Sequence, residues 1–500
     1  ARLIMSKQLS LHTLGELKAD IEVPNYDLTT TGCGIVHLGP GAFHRAHQAF
    51  YTERALAFGG DWRIHGVSMR SASLKDALAP QDNLYALSIV DDEPKTQVIG
   101  AIGQLSTLSR DRERIVEAMV NSATKIISLT VTEKGYCLNS SGHLDTEHPE
   151  IISDLQNPEK PVSAIGLIVQ TLKLRMQAGY ADVTVISCDN VSDNGKKLRQ
   201  AVTEYAGILS QALEQWITEN IAFPCTMVDS ITPATDSEFS SYVEQKLGAK
   251  DNWPIQREAF TQWVVEDHFS SPRPCWENVG VTFTHDVSFF EKAKLRILNG
   301  THSTLAYVGL LFEKETVFDA ISTPFMHQLI SRLLSNEIVP SLQGNDDFDI
   351  NQYAASILKR YENKHIRHML SQIAWDGSQK IPFRILDTIR DNISANRSID
   401  LLCTAVAAWC VFINERSLRN APITDPLADE LNALAQACEH KVSLLASKLI
   451  GIERIFAELV HHQGFQSTVL NKVEVLTACA EQGLSQIDSD KMLAKLAGDQ

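Results

Sequence analysis

The chain has 500 residues, more than one compact domain usually holds, so we expect roughly two to four domains. With 44% hydrophobic and 21% charged residues, its composition is globular and excludes a disordered or fibrous chain. The net charge of −16 argues against nucleic acid and anionic membrane surfaces as partners, although a few local cations would still suit a small anionic substrate.

The start of the chain, residues 1–5, has no signal-peptide architecture, and Met5 fits a natural start. No run of about 18 apolar residues occurs, so we expect no membrane span. The nine cysteines form no C-x-x-C pair, which is typical of free thiols in a reducing compartment. We therefore expect a cytoplasmic protein that binds neither membranes nor nucleic acid.

Short β-branched or apolar runs alternate with helical patterns in the first half of the chain. The predicted strands are residues 33–38, 63–69, 125–133, 182–188 and 226–231, and helices are predicted at 42–57, 163–179 and from about 195. This alternation indicates an α/β domain with a Rossmann-type, mostly parallel sheet and helices on both faces.

Helical periods dominate from about residue 280. They cover residues 289–311, 324–335, 350–361, 400–416, 426–449 and 472–497. We expect a mainly α-helical domain there. The loop-like stretch at 270–274 marks the boundary, so the predicted domains are residues 1–280 and 281–500.

The first predicted strand runs into a glycine turn, Gly39-Pro40-Gly41-Ala42, that opens a helix. In a dinucleotide-binding turn, glycines allow a tight bend and bring backbone N–H groups close to the pyrophosphate. His44 replaces the third glycine of G-x-G-x-x-G, so an ordinary strand-to-helix turn is the alternative. After the second strand no acid precedes Asp76, and the usual signal for NAD over NADP is absent. Arg70 is either a cofactor contact or a surface charge.

A polar cluster opens the helical half: Glu291, Lys294, Asn299 and His302. At about 100° per residue these side chains share one arc of a helix with two leucines. Polar groups among leucines are half-buried and need partners. The cluster is therefore either a satisfied structural network or a site for proton and oxyanion chemistry.

Two further polar groups are candidates. Asn190 follows a buried strand, at the edge where open α/β sheets bind ligands, and a capping or turn asparagine is the alternative. Lys380 lies in a predicted turn at 376–382, where an ordinary loop is the alternative.

Together these residues resemble the polyol-specific long-chain dehydrogenases, the mannitol dehydrogenase and fructuronate reductase family. The resemblance covers nearly the whole chain, and the K-x4-N-x2-H pattern of residues 294–302 is typical of that family. It rests on the segments GPGAFHRAHQA (39–49), SLTVTEKGY (128–136), SCDN (187–190), CTMVD (225–229), WVVEDHF (263–269), KLRILNGTHS (294–303) and QIAWDGSQKIP (372–382).

The resemblance implies zinc-independent hydride transfer between a nicotinamide and a secondary carbon of an open-chain keto sugar or sugar alcohol. It implies Lys294 as the general acid/base, with Asn190 and Asn299 holding the substrate oxygen. His302 would orient the substrate, and Glu291 would relay the proton outward. Burial can lower the pKa of a lysine enough for it to act near neutral pH, and amide donors stabilise alkoxide charge.

The resemblance also implies a nicotinamide cofactor, for which we expect NAD without excluding NADP. The expected cofactor contacts are Gly39, Gly41, Ala42, Phe43, Arg70, Thr132, Glu133 and Asp229. We expect no metal site, because His44 and His47 both fall in the nucleotide-turn motif and no third ligand is evident.

Within the family, residues 372–382 are more similar to the fructuronate reductases, which reduce D-fructuronate to D-mannonate. Gln372 stands where mannitol-oxidising members typically carry an arginine, and we expect it to contact the substrate. The substrate carboxylate needs a cation, for which Arg367, Lys380 and Arg384 are the candidates, and structural ion pairs are the alternative for both arginines. Ser230 stands where relatives often have arginine, which leaves the contacts at that strand end open.

We therefore predict an NAD-dependent fructuronate reductase whose active site lies in the cleft between the two domains. Its partner is a small sugar acid or polyol, and we expect a monomer or weak homo-oligomer. Mannitol 2-dehydrogenase and tagaturonate reductase activities are the alternatives within the family. Outside it, a noncatalytic nucleotide-binding sensor and a Schiff-base lyase that uses Lys294 are the rivals.

Overall fold

The computed structural model describes residues 7–342 and 344–499, so the predicted start at Met5 lies outside the described residues. The chain folds into two compact units, Ala1–Phe290 and Glu291–Gln500. The first unit combines sheets and helices, and the second unit consists mainly of helices.

A five-stranded parallel sheet organises the first unit. From edge to edge its strands are Ile102–Thr107, Arg63–Ser68, Cys33–Leu38, Ile126–Leu129 and Thr184–Ser187. The strand order reverses at Cys33–Leu38, which makes its carboxyl end the switch point where open α/β sheets bind ligands. The predicted Rossmann-type sheet is confirmed.

Helices cover the parallel sheet, and its central strands Cys33–Leu38 and Ile126–Leu129 are buried almost throughout because both faces are packed. The α-helices that begin in the first unit are Ala42–Ala46, Gln48–Leu56, Ser73–Leu78, Leu108–Val120, Pro149–Gln156, Ala164–Ala178, Asn194–Leu209, Gln211–Asn220, Ser237–Leu247 and Val287–Ala293. The single helix predicted at 42–57 is wrong, because the backbone breaks at His47. The His47 ring is hydrogen-bonded to the Gln262 carbonyl at 2.8 Å, and its ψ of −87° is not helical.

Smaller sheets complete the first unit. Tyr85–Val90 pairs with Lys95–Ile99 and Ile255–Glu258, Gln262–Glu266 pairs with Thr226–Asp229 and Thr282–Thr284, and Lys7–Gln8 pairs with Ala249–Lys250. The strand predicted at 226–231 is present as Thr226–Asp229, but it lies in one of these sheets and runs antiparallel to its neighbour. A hydrophobic pattern does not predict the strand Ile255–Glu258, because two of its residues, Arg257 and Glu258, are charged although they are buried.

The second unit consists of helices, as predicted. Its described α-helices are Gly300–Leu311, Val317–Ile321, Pro324–Arg332, Ile350–Tyr361, Leu370–Ile373, Gly377–Ile381, Asp387–Ser394, Asp400–Leu418, Ala428–Ala437, Val442–Leu449, Glu453–Phe456, Gln463–Gln482 and Ser489–Ala497. Asp400–Leu418 packs against Gly300–Leu311 and Gln463–Gln482. Its length and composition would suit a membrane span, but 78% of its most apolar window is buried inside the structure.

Three turns of π-helix interrupt the described helices of the second unit, at Lys294–Asn299, Leu333–Ile338 and Pro382–Leu386. The single helix predicted at 289–311 is therefore wrong, because a hydrophobic period cannot reveal the widened turn at its centre. The helix predicted at 426–449 is also divided, at Glu439 and His440, which both have positive φ values near 50°. The helix predicted at 472–497 is interrupted at Gly483, whose φ is +78°.

Candidate functional site

The glycine turn at the end of strand Cys33–Leu38 requires glycine at its first position. Gly39 has a φ of +87°, and a Cβ atom there would lie 2.3 Å from the Thr130 carbonyl oxygen. Thr130 Oγ1 donates a hydrogen bond to the Gly39 carbonyl at 2.7 Å. The turn is therefore held against the loop that follows the neighbouring strand Ile126–Leu129.

A cavity of about 680 Å³ lies at this switch point, and we call it the glycine-turn cavity. Its volume is in the range of small-molecule and cofactor sites. A Cβ atom on Gly41 would meet nothing within 4 Å, so the turn leaves open space there. Five of the predicted cofactor residues line the cavity: Gly39, Gly41, Ala42, Arg70 and Thr132.

The other three predicted cofactor residues are not part of the cavity lining. Phe43 stacks on His47, with ring centroids 4.9 Å apart. Glu133 is exposed and lies 3.6 Å from the Lys197 amine. Asp229 is buried at the end of strand Thr226–Asp229. Their role in cofactor binding stays a prediction.

Two stacked histidines lie behind the glycine turn, with the rings of His37 and His44 3.5 Å apart. The Thr130 hydroxyl donates its proton to the Gly39 carbonyl, so it must accept a hydrogen bond from His37 Nε2, at 2.8 Å. His37 Nε2 therefore carries the proton of the ring, and His37 Nδ1 accepts a hydrogen bond from the Ser128 hydroxyl at 2.6 Å. This arrangement needs a neutral ring. Burial is the main cause that lowers the pKa of His37 well below its ordinary value and the pKa of His44 to about 3.

We expect the free energy of unfolding to fall as the pH drops from about 7 to 5. A histidine in the unfolded chain takes up a proton near pH 6.5, whereas His37 and His44 stay neutral in the folded protein. Their contribution to the stability of the folded state is therefore complete above that pH and is lost as the pH falls below it. Each ring contributes up to about 1.4 kcal/mol per pH unit. Urea denaturation across this range measures the slope. His37→Gln should make the slope shallower, and His12→Gln, at an exposed position, should not. Equal slopes for the wild type and His37→Gln would contradict this account.

Asp189 organises the end of strand Thr184–Ser187, next to Asn190. Its carboxylate accepts hydrogen bonds from the backbone N–H of Thr132 at 2.9 Å and from the Tyr136 hydroxyl at 2.7 Å. Thr132 has a φ of +65°, so this buried acceptor holds a strained residue of the cavity lining. Asn190 itself is exposed. Sequence reasoning placed Asp189 in the polar segment but did not identify its partners.

The predicted lysine cluster belongs to the second unit, where Glu291, Lys294, Asn299 and His302 are all half-buried. Lys294 begins the first π turn and Asn299 ends it. The angles obtained at 100° per residue are therefore wrong across this turn, because a π turn rotates less per residue. Such turns are frequent at functional sites.

Side chains satisfy the backbone of this π turn. Tyr361 donates its hydroxyl to the Leu298 carbonyl at 2.9 Å, and Thr301 Oγ1 donates to the Ile297 carbonyl at 2.6 Å. In contrast, Asn299 Oδ1 is buried and has no hydrogen-bond partner among the residues that the structure describes. An unpaired buried acceptor is costly, which makes this amide a candidate contact for a ligand.

Aromatic rings and cations surround His302. Its ring stacks on Tyr361 at 5.4 Å and meets the edge of His368 at 4.6 Å. Burial and the charges of neighbouring groups lower the pKa of His302 well below its ordinary value, and these groups include His368, Arg384 and Lys380. The ring is therefore neutral near pH 7. Sequence reasoning missed Tyr361 and His368, which come from other elements.

The predicted substrate residues Lys380 and Arg384 lie close to this cluster. A Cβ atom on Gly300 would lie 2.8 Å from the Arg384 carbonyl oxygen, so glycine allows the two π turns to approach. Arg384 Nη1 donates to Ser303 Oγ at 3.2 Å, and no carboxylate of the described residues forms an ion pair with Arg384. Burial and the Arg384 charge lower the pKa of Lys380.

The other two predicted substrate residues, Gln372 and Arg367, are exposed. Arg367 Nη2 lies 2.6 Å from Glu315 Oε1, which matches the structural alternative for this arginine. Gln372 belongs to the short helix Leu370–Ile373. A substrate contact by either residue stays a prediction.

Among the described residues, one group of metal-ligand types comes together: Cys137, His148 and Glu150, with ligand atoms within 4.8 Å of one another. His148 Nδ1 already accepts the Glu150 backbone N–H at 3.1 Å, and Glu150 is paired with Arg70. Burial and nearby carboxylates raise the pKa of the Cys137 thiol to about 12, so it is not a thiolate. The expectation that the protein has no metal site stays a prediction.

Comparisons with known proteins agree with this geometry. The chain matches the family model of the mannitol dehydrogenase Rossmann domain at residues 33–278 and that of the mannitol dehydrogenase C-terminal domain at residues 286–477. It is 40% identical to D-mannonate oxidoreductase of Escherichia coli over 89% of this chain and 93% of the relative. It is 37% identical to mannitol 2-dehydrogenase of Aspergillus fumigatus over 85% and 86% of the two chains. A Pseudomonas fluorescens mannitol 2-dehydrogenase, solved with NAD and D-mannitol, aligns with a TM-score of 0.76 at 31% identity, covering 99% of this chain and all of that one.

Proposed function

The chain belongs to the mannitol dehydrogenase family, and from this premise we propose that it reduces D-fructuronate reversibly to D-mannonate with NADH. Family membership makes it an oxidoreductase of the polyol or sugar-acid type. The likeness to D-mannonate oxidoreductase of Escherichia coli supports the proposed substrate, and the NAD complex of the structural relative supports the cofactor.

The observation that carries the substrate proposal is that cationic side chains lie close to the His302 ring. Lys380 and Arg384 are both close enough to act on the His302 ring, and no described carboxylate pairs with Arg384. A half-buried guanidinium binds a carboxylate through charge-assisted hydrogen bonds, which are about twice as strong as neutral ones. A hexuronate carries that carboxylate, and fructose has a hydroxymethyl group instead.

The glycine-turn cavity fits a nicotinamide dinucleotide. Gly39 has the backbone conformation that glycine favours, and Gly41 leaves the space in front of the turn open. Thr132, whose backbone N–H donates to Asp189, also lines this cavity. When bound, NADH supplies the hydride for the ketone carbon of the substrate.

Lys294 is the proposed general acid/base. In reduction its ammonium group gives a proton to the ketone oxygen, and in oxidation its amine takes the proton back from the hydroxyl. Asn299 Oδ1, which has no hydrogen-bond partner among the described residues, accepts a hydrogen bond from a substrate hydroxyl. His302, neutral and stacked on Tyr361, presents a fixed ring edge that orients the substrate.

A substrate panel tests this function through the absorbance of NADH. We expect kcat/KM for D-fructuronate to exceed that for D-fructose by at least about 10²-fold, because an unpaired cation in the site penalises the neutral sugar. D-Tagaturonate serves as the matched uronate, and oxidation of D-mannonate by NAD checks reversibility. Equal rates with fructose would replace the proposal by a mannitol 2-dehydrogenase activity.

A further inference from the structure

The adenosine ribose of the proposed cofactor lacks its usual acidic partner in this chain. Met69 and Arg70 follow strand Arg63–Ser68, and the first acid after them, Asp76, is paired with Arg110 at 3.1 Å. In dinucleotide folds an acid near this strand end binds the ribose 2′-hydroxyl of NAD. A site that selects NAD must therefore take its negative charge from another element.

Glu150 brings a carboxylate to the same cavity. It lies in the first turn of helix Pro149–Gln156, and both Glu150 and Arg70 line the glycine-turn cavity. Arg70 Nη2 donates to Glu150 Oε1 at 2.9 Å. The side chain of Glu150 is 29% exposed and that of Arg70 is 85% exposed, so the acid is the sheltered member of the pair.

The backbone fixes the position of Glu150. The His148 ring caps the helix by accepting the Glu150 N–H, and Pro149 starts the helix. One turn later the buried Asp154 accepts the backbone N–H groups of Val162 at 2.7 Å and Ser163 at 3.0 Å. The carboxylate of Glu150 is therefore carried by an anchored helix start and not by a loose loop.

We propose that Glu150 is the residue that selects NAD(H) over NADP(H), because it replaces the missing strand-end acid and also occupies Arg70. This inference rests on the proposed function, since it assumes that the glycine-turn cavity binds a nicotinamide dinucleotide. The 2′-phosphate of NADP(H) meets the Glu150 carboxylate and has to displace it to reach Arg70. The 2′-hydroxyl of NAD(H) instead donates a hydrogen bond to that carboxylate.

Direct binding tests the proposal without any sugar substrate. Dissociation constants are measured for NADH and NADPH by nucleotide fluorescence, and for adenosine 2′,5′-bisphosphate by calorimetry. We expect Glu150→Gln to tighten binding of NADPH and the bisphosphate about tenfold, as one discriminating contact can do. The double variant Glu150→Gln/Arg70→Ala should lose that gain, since Arg70 is the cation that Glu150 releases.

Glu147→Gln is the matched control, because Glu147 is exposed, three residues away and outside the cavity lining. Arg70→Ala alone should weaken NADPH binding only slightly, because Glu150 already pairs with Arg70 in the wild type. If folded Glu150→Gln keeps the wild-type ratio of the two dissociation constants, the inference is wrong. It is also wrong if Arg70→Ala weakens NADPH binding strongly, because Arg70 would then already hold the phosphate. A wild type that binds neither nucleotide would overturn the proposed function, and the inference with it.

Discussion

Replacing Lys294 by alanine is expected to lower kcat about 10²- to 10⁴-fold, the usual contribution of a positioned general acid/base. The dissociation constant of NADH should stay unchanged, because the glycine-turn cavity is lined by residues of the first unit. Single-turnover assays with D-fructuronate measure the chemical step, and NADH fluorescence measures cofactor binding. Exogenous primary amines should restore part of the rate if the lost group is a proton donor.

Lys292→Ala is the matched control for this variant. Lys292 lies two residues away on the same helical segment and is exposed, with its amine 3.9 Å from Asp391. It should keep near-normal turnover. Comparable turnover by Lys294→Ala would remove Lys294 from the proposed mechanism. Borohydride trapping of Lys294 with a keto substrate would instead favour the Schiff-base alternative.

Replacing Arg384 by alanine is expected to lower kcat/KM for D-fructuronate roughly 10²-fold while changing that for D-fructose little. The half-buried guanidinium has Ser303 as a hydrogen-bond partner and no described ion-pair partner, so the substrate carboxylate would complete its contacts. The fructuronate-to-fructose ratio of kcat/KM is therefore the quantity to measure. Arg384→Lys should restore part of the ratio, because it keeps the charge but loses the bidentate geometry.

Arg367→Ala provides the comparison at the other predicted arginine. Arg367 is exposed and paired with Glu315, and an exposed ion pair contributes little free energy. We expect its removal to leave the substrate ratio nearly unchanged. If only Arg367→Ala narrows the ratio, the sequence-based assignment of Arg367 is correct and Arg384 does not bind the carboxylate. If neither variant narrows it, another group binds the carboxylate.

The parallel sheet could be predicted from the sequence because its strands are buried on both faces. Segments such as Ile126–Leu129 consist almost entirely of apolar residues, and short apolar runs of this kind are typical of central strands in a parallel sheet. The glycine turn was visible for a similar reason. Gly39 stands where the Thr130 carbonyl excludes a Cβ atom, so the local sequence carries the constraint directly.

The sequence does not show which side chains from distant helices and strands come together in the folded protein. Arg367 and Arg384 both lie near Lys380 in the sequence, and only the packing shows that one is exposed and the other half-buried. Glu150 reaches the glycine-turn cavity from a helix whose sequence contains no nucleotide signal. Tyr361 likewise supports the first π turn from a later helix, which begins at Ile350.

The π turn at Lys294–Asn299 also limits how the K-x4-N-x2-H pattern can be transferred to another helix. In a regular helix each residue turns the chain by about 100°, whereas the widened turn rotates less per residue, so the same letters placed on a regular helix would give His302 a different bearing relative to Lys294. All the reactive side chains would be present on such a helix with their chemistry intact. They would no longer point toward the same position, so a graft of this motif onto a regular helix would reproduce the sequence but not the arrangement of the side chains.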